Sequence, residues 1–123
     1  MKGNFELKKQ INGIGLFCII ELEIEKSKDG QLIINYNNND LDDLDDFKIA
    51  VEYGILLALE NLSFKGLNRK RDFKITITKF QSIIVDTSLS CVSYASCRAI
   101  YNAFSCESKM LKPNINEFGD FVF

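Results

Sequence analysis

Side chains able to do chemistry are few in this chain of 123 residues, and they are poorly spaced for it. Histidine is absent, which removes the commonest general base, the commonest zinc ligand and every Ser-His or Cys-His nucleophile pair. Cysteines stand at positions 18, 91, 97 and 106. The last three fall on one expected helix, where about 100° per residue points them to separate faces, so they share no site. No Cys-x-x-Cys pair exists, which excludes zinc-ribbon and thioredoxin-like readings. The thiols are expected to be buried as small hydrophobes in a reducing compartment. Asp86, Thr87, Ser88 and Ser90 offer a carboxylate and hydroxyls, but no base partners them and helix capping accounts for them. Asp40, Asp42, Asp43, Asp45 and Asp46 form an acidic run. No start within it gives EF-hand oxygens at loop positions one, three and five with glycine at six. The run is expected to cap a helix and lie at the positive end of its dipole. No catalytic residue, metal site or cofactor is expected.

The surroundings agree with a small binding domain. The chain is 46% apolar and 26% charged, with a net charge of -2, which fits one compact domain over residues 1–123. The longest apolar stretches, Leu16 to Ile20 and Ile55 to Leu59, are far short of a membrane span. Met1-Lys2-Gly3-Asn4 leads into no signal-peptide core, and a cytoplasmic location is expected.

Periodicity gives the elements. Phe5, Leu7 and Ile11 alternate with polar residues, as do Ile20, Leu22 and Ile24, which predicts two half-buried strands. Asn12-Gly13-Ile14-Gly15 between them predicts a hairpin tip. A pairing of Lys8 with Glu21 or Glu23 would relieve the acids of the second strand. Gln31 to Tyr36 reads as a third strand with Leu32, Ile34 and Tyr36 on one face. A helix follows from about Asp45 to Asn61, facing the core with Phe47, Ala50, Val51, Gly54, Leu57 and Ala58, and with Leu62 just beyond. Phe73, Ile75 and Ile77 mark a fourth strand, and Ser82 to Val85 an apolar corner. A second helix starts at Thr87 or Ser88 and runs to about Cys106, with Val92, Ala95, Ala99 and Ala103 on its inner stripe. The order is α+β, a two-layer sandwich with both helices on one side of the sheet. Phe118, Phe121 and Phe123 of the aperiodic tail are expected to dock on the domain.

In order along the chain, these segments resemble domain IV of elongation factor G and its relatives among the ribosomal-protection and release-factor GTPases. Gln10-Ile11-Asn12-Gly13-Ile14-Gly15-Leu16-Phe17 is similar to the family's hairpin tip. Ala50-Val51-Glu52-Tyr53-Gly54 resembles Ala-Val-Glu-Lys-Gly, and Asp72-Phe73-Lys74-Ile75-Thr76-Ile77 resembles Asp-Val-Lys-Val-Thr-Leu. Val85-Asp86-Thr87-Ser88 is similar to Val-Asp-Ser-Ser, and Met110-Leu111-Lys112-Pro113 to Leu-Leu-Glu-Pro. The resemblance covers nearly the whole chain, residues 4–107 with a tail 108–123. It implies a four-stranded mixed sheet with two helices on one face, as in the second domain of a small-subunit ribosomal protein, with a left-handed strand-helix-strand crossover. It also implies a domain without chemistry of its own, which in the family reaches the decoding centre while a separate domain hydrolyses GTP. No Gly-x-x-x-x-Gly-Lys-Ser/Thr sequence occurs here, so that GTPase is absent from the chain.

The resemblance places the working end at Asn12, Gly13, Ile14, Gly15 and Leu16 with Ser82, Ile83 and Ile84. Ile14, Leu16 and Ile83 fall where the family commonly has arginine, glutamine and histidine, so this end lacks the groups that contact phosphate or stack on bases. Two binding readings follow. In one, the chain is a ribosome- or translation-associated module with a phosphate-contacting patch at Lys65, Arg69, Lys70, Arg71 and Lys74. The net negative charge argues against direct nucleic-acid contact. In the other, the fold is a protein-protein module of the small acidic inhibitor or immunity type, using the apolar end as its interface. Catalysis is the weakest reading.

Overall fold

The computed structural model describes residues 1–37, 44–83, 85–110, 114–116, 118 and 120–122. Two-residue periodicity builds the first hairpin, from β1 (Lys2–Ile11) and β2 (Ile14–Lys26). Its turn is Asn12-Gly13 alone, with φ of 52° and 81°. Positive φ at both central residues matches the right-handed twist of the flanking strands, and Asn-Gly reaches it at little cost. Ile14 and Gly15 therefore belong to β2.

This tight turn fixes the register and corrects one expectation. Ile11 pairs with Ile14, which sets Lys8 against Phe17 and not against Glu21 or Glu23. The acids of β2 are met from elsewhere. Lys2 reaches Glu23 at 3.8 Å and Lys74 reaches Glu25 at 3.7 Å, while Lys79 lies across from Glu21.

β3 (Ile33–Tyr36) runs parallel to β4 (Phe73–Gln81), and β4 is antiparallel to β2. The sheet is mixed, in the order β1-β2-β4-β3. A parallel pair needs a crossover, and here α1 (Lys48–Phe64) provides it. α2 (Leu89–Ala103) lies against β1, β2 and α1. The fold is thus α+β, a four-stranded mixed sheet layered with two helices.

The two helices begin differently. Of the two candidates, Ser88 caps α2, its hydroxyl accepting from the Cys91 amide at 3.2 Å. The aspartates do not cap α1. Phe47 occupies that position without a side-chain cap, and Leu44–Asp46 form a separate 3-10 turn ahead of it. Phe47 has no acceptor to offer, so the backbone turn replaces the cap. Asp45 instead pairs with Lys48 at 3.0 Å. Asp40, Asp42 and Asp43 lie outside the described residues. α2 also ends earlier than its periodicity suggests, so Cys106 falls in the turn that follows it.

One core fills the space between sheet and helices. Leu7, Cys18, Ile20, Leu22, Ile75, Ile77 and Phe80 from the strands meet Val51, Ile55, Leu59, Leu62, Val92, Ala95, Ala99 and Ile100 from the helices. The α1 face includes Ile55 and Leu59 and leaves Leu57 only half-buried. Small residues set the spacing. At Gly54 a Cβ would collide with the Ser93 carbonyl of α2, and at Gly3 with the Ala99 carbonyl. The helix pair is also tied by Asn61 Nδ2 donating to the Tyr101 hydroxyl at 2.9 Å and Ser93 Oγ donating to the Ala50 carbonyl at 2.9 Å.

The tail adds β5 (Asn114–Ile115) and β6 (Phe121–Val122), a small antiparallel ladder in contact with α2 through β6. Phe118 is exposed, not docked. Its backbone amide and that of Asp120 both bond the Asn116 side chain, which makes this stretch a turn pointing into solvent. The side chain of Phe121 and all of Leu111, Lys112, Pro113 and Phe123 lie outside the described residues. No helix among the described residues is long and apolar enough to cross a membrane.

Candidate binding surface at the end of the sheet

The corner before α2 meets β2 just beyond the hairpin turn, at Gly15 and Phe17. β2 extends past the end of β4, and the corner after Gln81 folds back over the exposed part of β2. The Phe17 amide donates to the Asp86 carbonyl at 2.9 Å. Thr87 completes the junction. Its hydroxyl accepts from the Ile83 amide at 2.8 Å and donates to the Phe17 carbonyl at 2.6 Å. One side chain therefore holds the corner closed and binds it to β2. The corner itself is a tight backbone turn, with the Asp86 and Thr87 amides both donating to the Ile83 carbonyl.

Gly15 is part of the same junction. A Cβ there would run into the Asp86 carboxylate, so glycine lets the corner close over β2. A shallow cleft of about 330 Å³ runs along the seam, lined by Lys8, Lys9, Gln10, Gly15, Leu16, Phe17 and Asp86.

The expected apolar residues divide between core and surface. Leu16 is 3% exposed and belongs to the core. Ile14 is 39% exposed and Ile83 42%. Asn12 and Gly13 form the exposed turn, Ser82 is half-buried beside Ile83, and Ile84 lies outside the described residues. Sequence reasoning missed Val85 as a surface residue, and it is 85% exposed. It also missed the lysines at the rim. Lys8 pairs with Glu6 at 3.8 Å, and Lys9 is exposed with no ion pair among the described residues. The antiparallel register carried the signal, since any two-residue turn at Asn12-Gly13 sets Lys8 and Lys9 opposite Phe17 and Leu16.

The five cations proposed as a phosphate patch lie elsewhere. Phe73 at the start of β4 pairs with Lys26, whereas Gln81 at its end pairs with Ile19. The connection before β4 is therefore at the far end of the sheet, roughly 40 Å along β2 from the tip at a strand rise of about 3.3 Å per residue. Nor do the five form one free cluster. Arg71 is bound to Glu60 of α1, and Lys74 to Glu25 on the sheet. Lys65, Arg69 and Lys70 are exposed, without an ion pair among the described residues.

The thiols are set up for packing. Cys18, Cys91, Cys97 and Cys106 are all buried and unbridged. Burial, followed by proximity to Cys91, pushes Cys18 up to about 12. Burial pushes Cys97 up to about 11, partly offset by its hydrogen bond with Tyr101. Burial, then the nearby Glu107, raises Cys106. Among the described residues no three His, Cys, Asp or Glu side chains are grouped to hold a metal ion.

The class that this geometry defines is a two-layer α+β domain with one closed, glycine-spaced interior and one apolar end. No protein-family model matches the chain, and no curated protein does. One of 53 matching solved chains is a Thermus thermophilus protein designated ttk003000868. It is similar with a TM-score of 0.60 at 20% identity, over 80% of this chain and 14% of that one. The likeness is one of fold. The chain covers about one seventh of that protein's length.

Proposed function

We propose that the chain is a non-catalytic binding module of the elongation factor G domain IV type, acting in the cytoplasm. It meets its partner, a protein surface of the ribosome or of another translation component, through the apolar end of its sheet. The observation that carries this reading is the Thr87 junction, which ties the β4–α2 corner to β2 at Phe17 and leaves Ile14, Ile83 and Val85 exposed. Apolar groups held in a fixed arrangement beside polar backbone and lysines have the composition of a protein interface. Phosphate contact would need cations or donors at the tip, and the nearest lysines stand at its rim.

Two features support a non-catalytic role. All four thiols are buried, and Cys18, Cys97 and Cys106 have raised pKa values, which keeps those three protonated and unreactive near neutral pH. The Thr87 and Ser88 hydroxyls are occupied in the junction and in capping α2. The ordered likeness to the translation-factor domain, together with the four-stranded mixed sheet and two helices that it implies, directs the search for a partner to the ribosome.

Co-sedimentation with ribosomes across a salt series tests this. Binding that survives moderate salt, is lost with Ile14→Asp or Ile83→Asp, and persists with Arg69→Ala and Lys70→Ala is the expected outcome. Apolar contacts are weakly screened, whereas exposed charges lose most of their interaction beyond a Debye length of about 8 Å at physiological ionic strength. Salt-sensitive binding lost only with the arginine and lysine variants would move the contact to the basic end. Failure to sediment with ribosomes, with another protein captured in an Ile83-dependent way, would favour the inhibitor-type module of the same fold.

A further inference from the structure

α1 carries more apolar surface than the domain uses. Its inner face supplies Val51, Ile55, Leu59 and Leu62 to the core, yet Ile49 is 83% exposed and Phe64 90%, and Tyr53 and Leu56 are exposed between them. Ile49, Tyr53, Leu56, Glu60 and Phe64 follow steps of four, three, four and four. At about 100° per residue they form one stripe within an arc of about 80° along the outside of the helix. A helix that is apolar on both faces is normally covered on both. The described tail strands do not supply the cover, since β6 contacts α2.

We infer that this stripe is the interface of a homodimer in which α1 packs antiparallel against α1 of a second copy, about a twofold axis near Leu56. Charge complementarity selects a second copy as the occupant. Asp46 is exposed without an ion pair among the described residues at the N-terminal end of α1, beside an Asp45 already paired with Lys48, whereas Lys65, Arg69 and Lys70 are exposed just beyond its C-terminal end. Antiparallel pairing lays each acidic end on the basic end of the other copy, and a twofold axis repeats the match twice. The same register sets Ile49 against Phe64 of the partner subunit, with the two Leu56 side chains meeting at the axis. The one charge within the stripe, Glu60, is already bound by Arg71 of its own chain, which lowers the cost of covering it.

The area argues for a weak dimer. α1 is about 25 Å long at 1.5 Å per residue, and a face roughly 10 Å wide gives on the order of 500 Å² over both copies before the charged flanks are added. Stable specific interfaces bury about 1,200–2,000 Å². Dimerisation is therefore expected at roughly 10 μM to 1 mM.

Sedimentation equilibrium of the full chain over that range tests the inference, independently of any binding at the sheet end. The wild type should show a monomer–dimer equilibrium. Leu56→Asp would place two carboxylates at the axis and should weaken it by at least about tenfold, the size of a 1.4 kcal/mol change. Leu56 is exposed, so the domain should keep its circular dichroism spectrum. Asp46→Lys alone should weaken the dimer, and adding Lys65→Asp should restore it, because the swap returns opposite charges to each contact. A chain monomeric up to about 1 mM, a dimer indifferent to Leu56→Asp, or a charge swap that fails to restore association would each overturn the inference.

Discussion

The two exposed apolar regions are built on different principles. At the end of the sheet, Ile83 and Val85 are displayed by an irregular corner, fixed by hydrogen bonds among Phe17, Ile83, Asp86 and Thr87, and Ile14 by the first residue of β2. On α1, Ile49, Tyr53, Leu56 and Phe64 are displayed by a regular helix whose opposite face is core. The first region is small, asymmetric and rimmed by Lys8 and Lys9, so it suits a partner of different shape. The second is periodic and bounded by opposite charges at its ends, so it suits a copy of itself. Exposed apolar area alone does not say what covers a surface. The backbone that presents it and the charges around it narrow the choice.

Both regions rest on one core, and the perturbations that break both at once should have the largest effect. Raising the pH is the first. The fold keeps Cys18 and Cys97 protonated up to about 12 and about 11, against an ordinary value of 9.0. Unfolding above pH 9 therefore releases protons. Stability from these thiols is complete below pH 9 and falls as pH climbs through 11 to 12. A steep loss of thermal midpoint over that window, with no comparable change between pH 7 and 8.5, is the expected result in circular dichroism melts. Gly54→Ala comes next. It forces a methyl group into the Ser93 carbonyl and should cost about 1–3 kcal/mol in urea unfolding, weakening self-association and partner binding together.

Smaller effects should separate the regions. Ile83→Asp should reduce ribosome retention by about tenfold, equivalent to 1.4 kcal/mol, while leaving the monomer–dimer equilibrium unchanged. Loss of both by Ile83→Asp would show that the two surfaces are one. Thr87→Val removes the hydroxyl that bridges the Ile83 amide and the Phe17 carbonyl. It should cost about 1 kcal/mol of stability and loosen the end of the sheet, read as faster amide exchange at Phe17 and Ile83. The α1 stripe should be untouched.

Much of this was legible in the sequence because the relevant signals are local. Alternation marked β1, β2 and β4, small residues at helical spacing marked the inner face of α2, and Asn12-Gly13 marked the hairpin. Ser88 announced its cap. The misses have non-local causes. Lys2 meets Glu23 through the hairpin register, whereas Lys79 lies across from Glu21 and Lys74 pairs with Glu25 only because the crossover through α1 brings β4 beside β2. Phe47, not an aspartate, holds the cap position of α1, behind a separate 3-10 turn that the acidic run does not announce. The closeness of the corner to the hairpin was legible only through the family resemblance. Leu16 is buried in step with Cys18, Ile20 and Leu22 of β2, whereas the exposure of Val85 in the corner is not encoded by periodicity. The exposed stripe of α1 was within reach of a helical wheel, but a wheel of a helix apolar on all sides does not tell which half faces the core.

Methyl-resolved NMR of isoleucine-labelled protein, titrated with ribosomal subunits, tests the central claim most directly. Ile14 and Ile83 should broaden or shift at low subunit ratios, while Ile75 and Ile77 of the core and Ile49 on α1 stay in place. Perturbation confined to Ile49, or no perturbation of Ile14 and Ile83 at saturating subunits, would contradict the assignment of the sheet end as the surface that meets the ribosome.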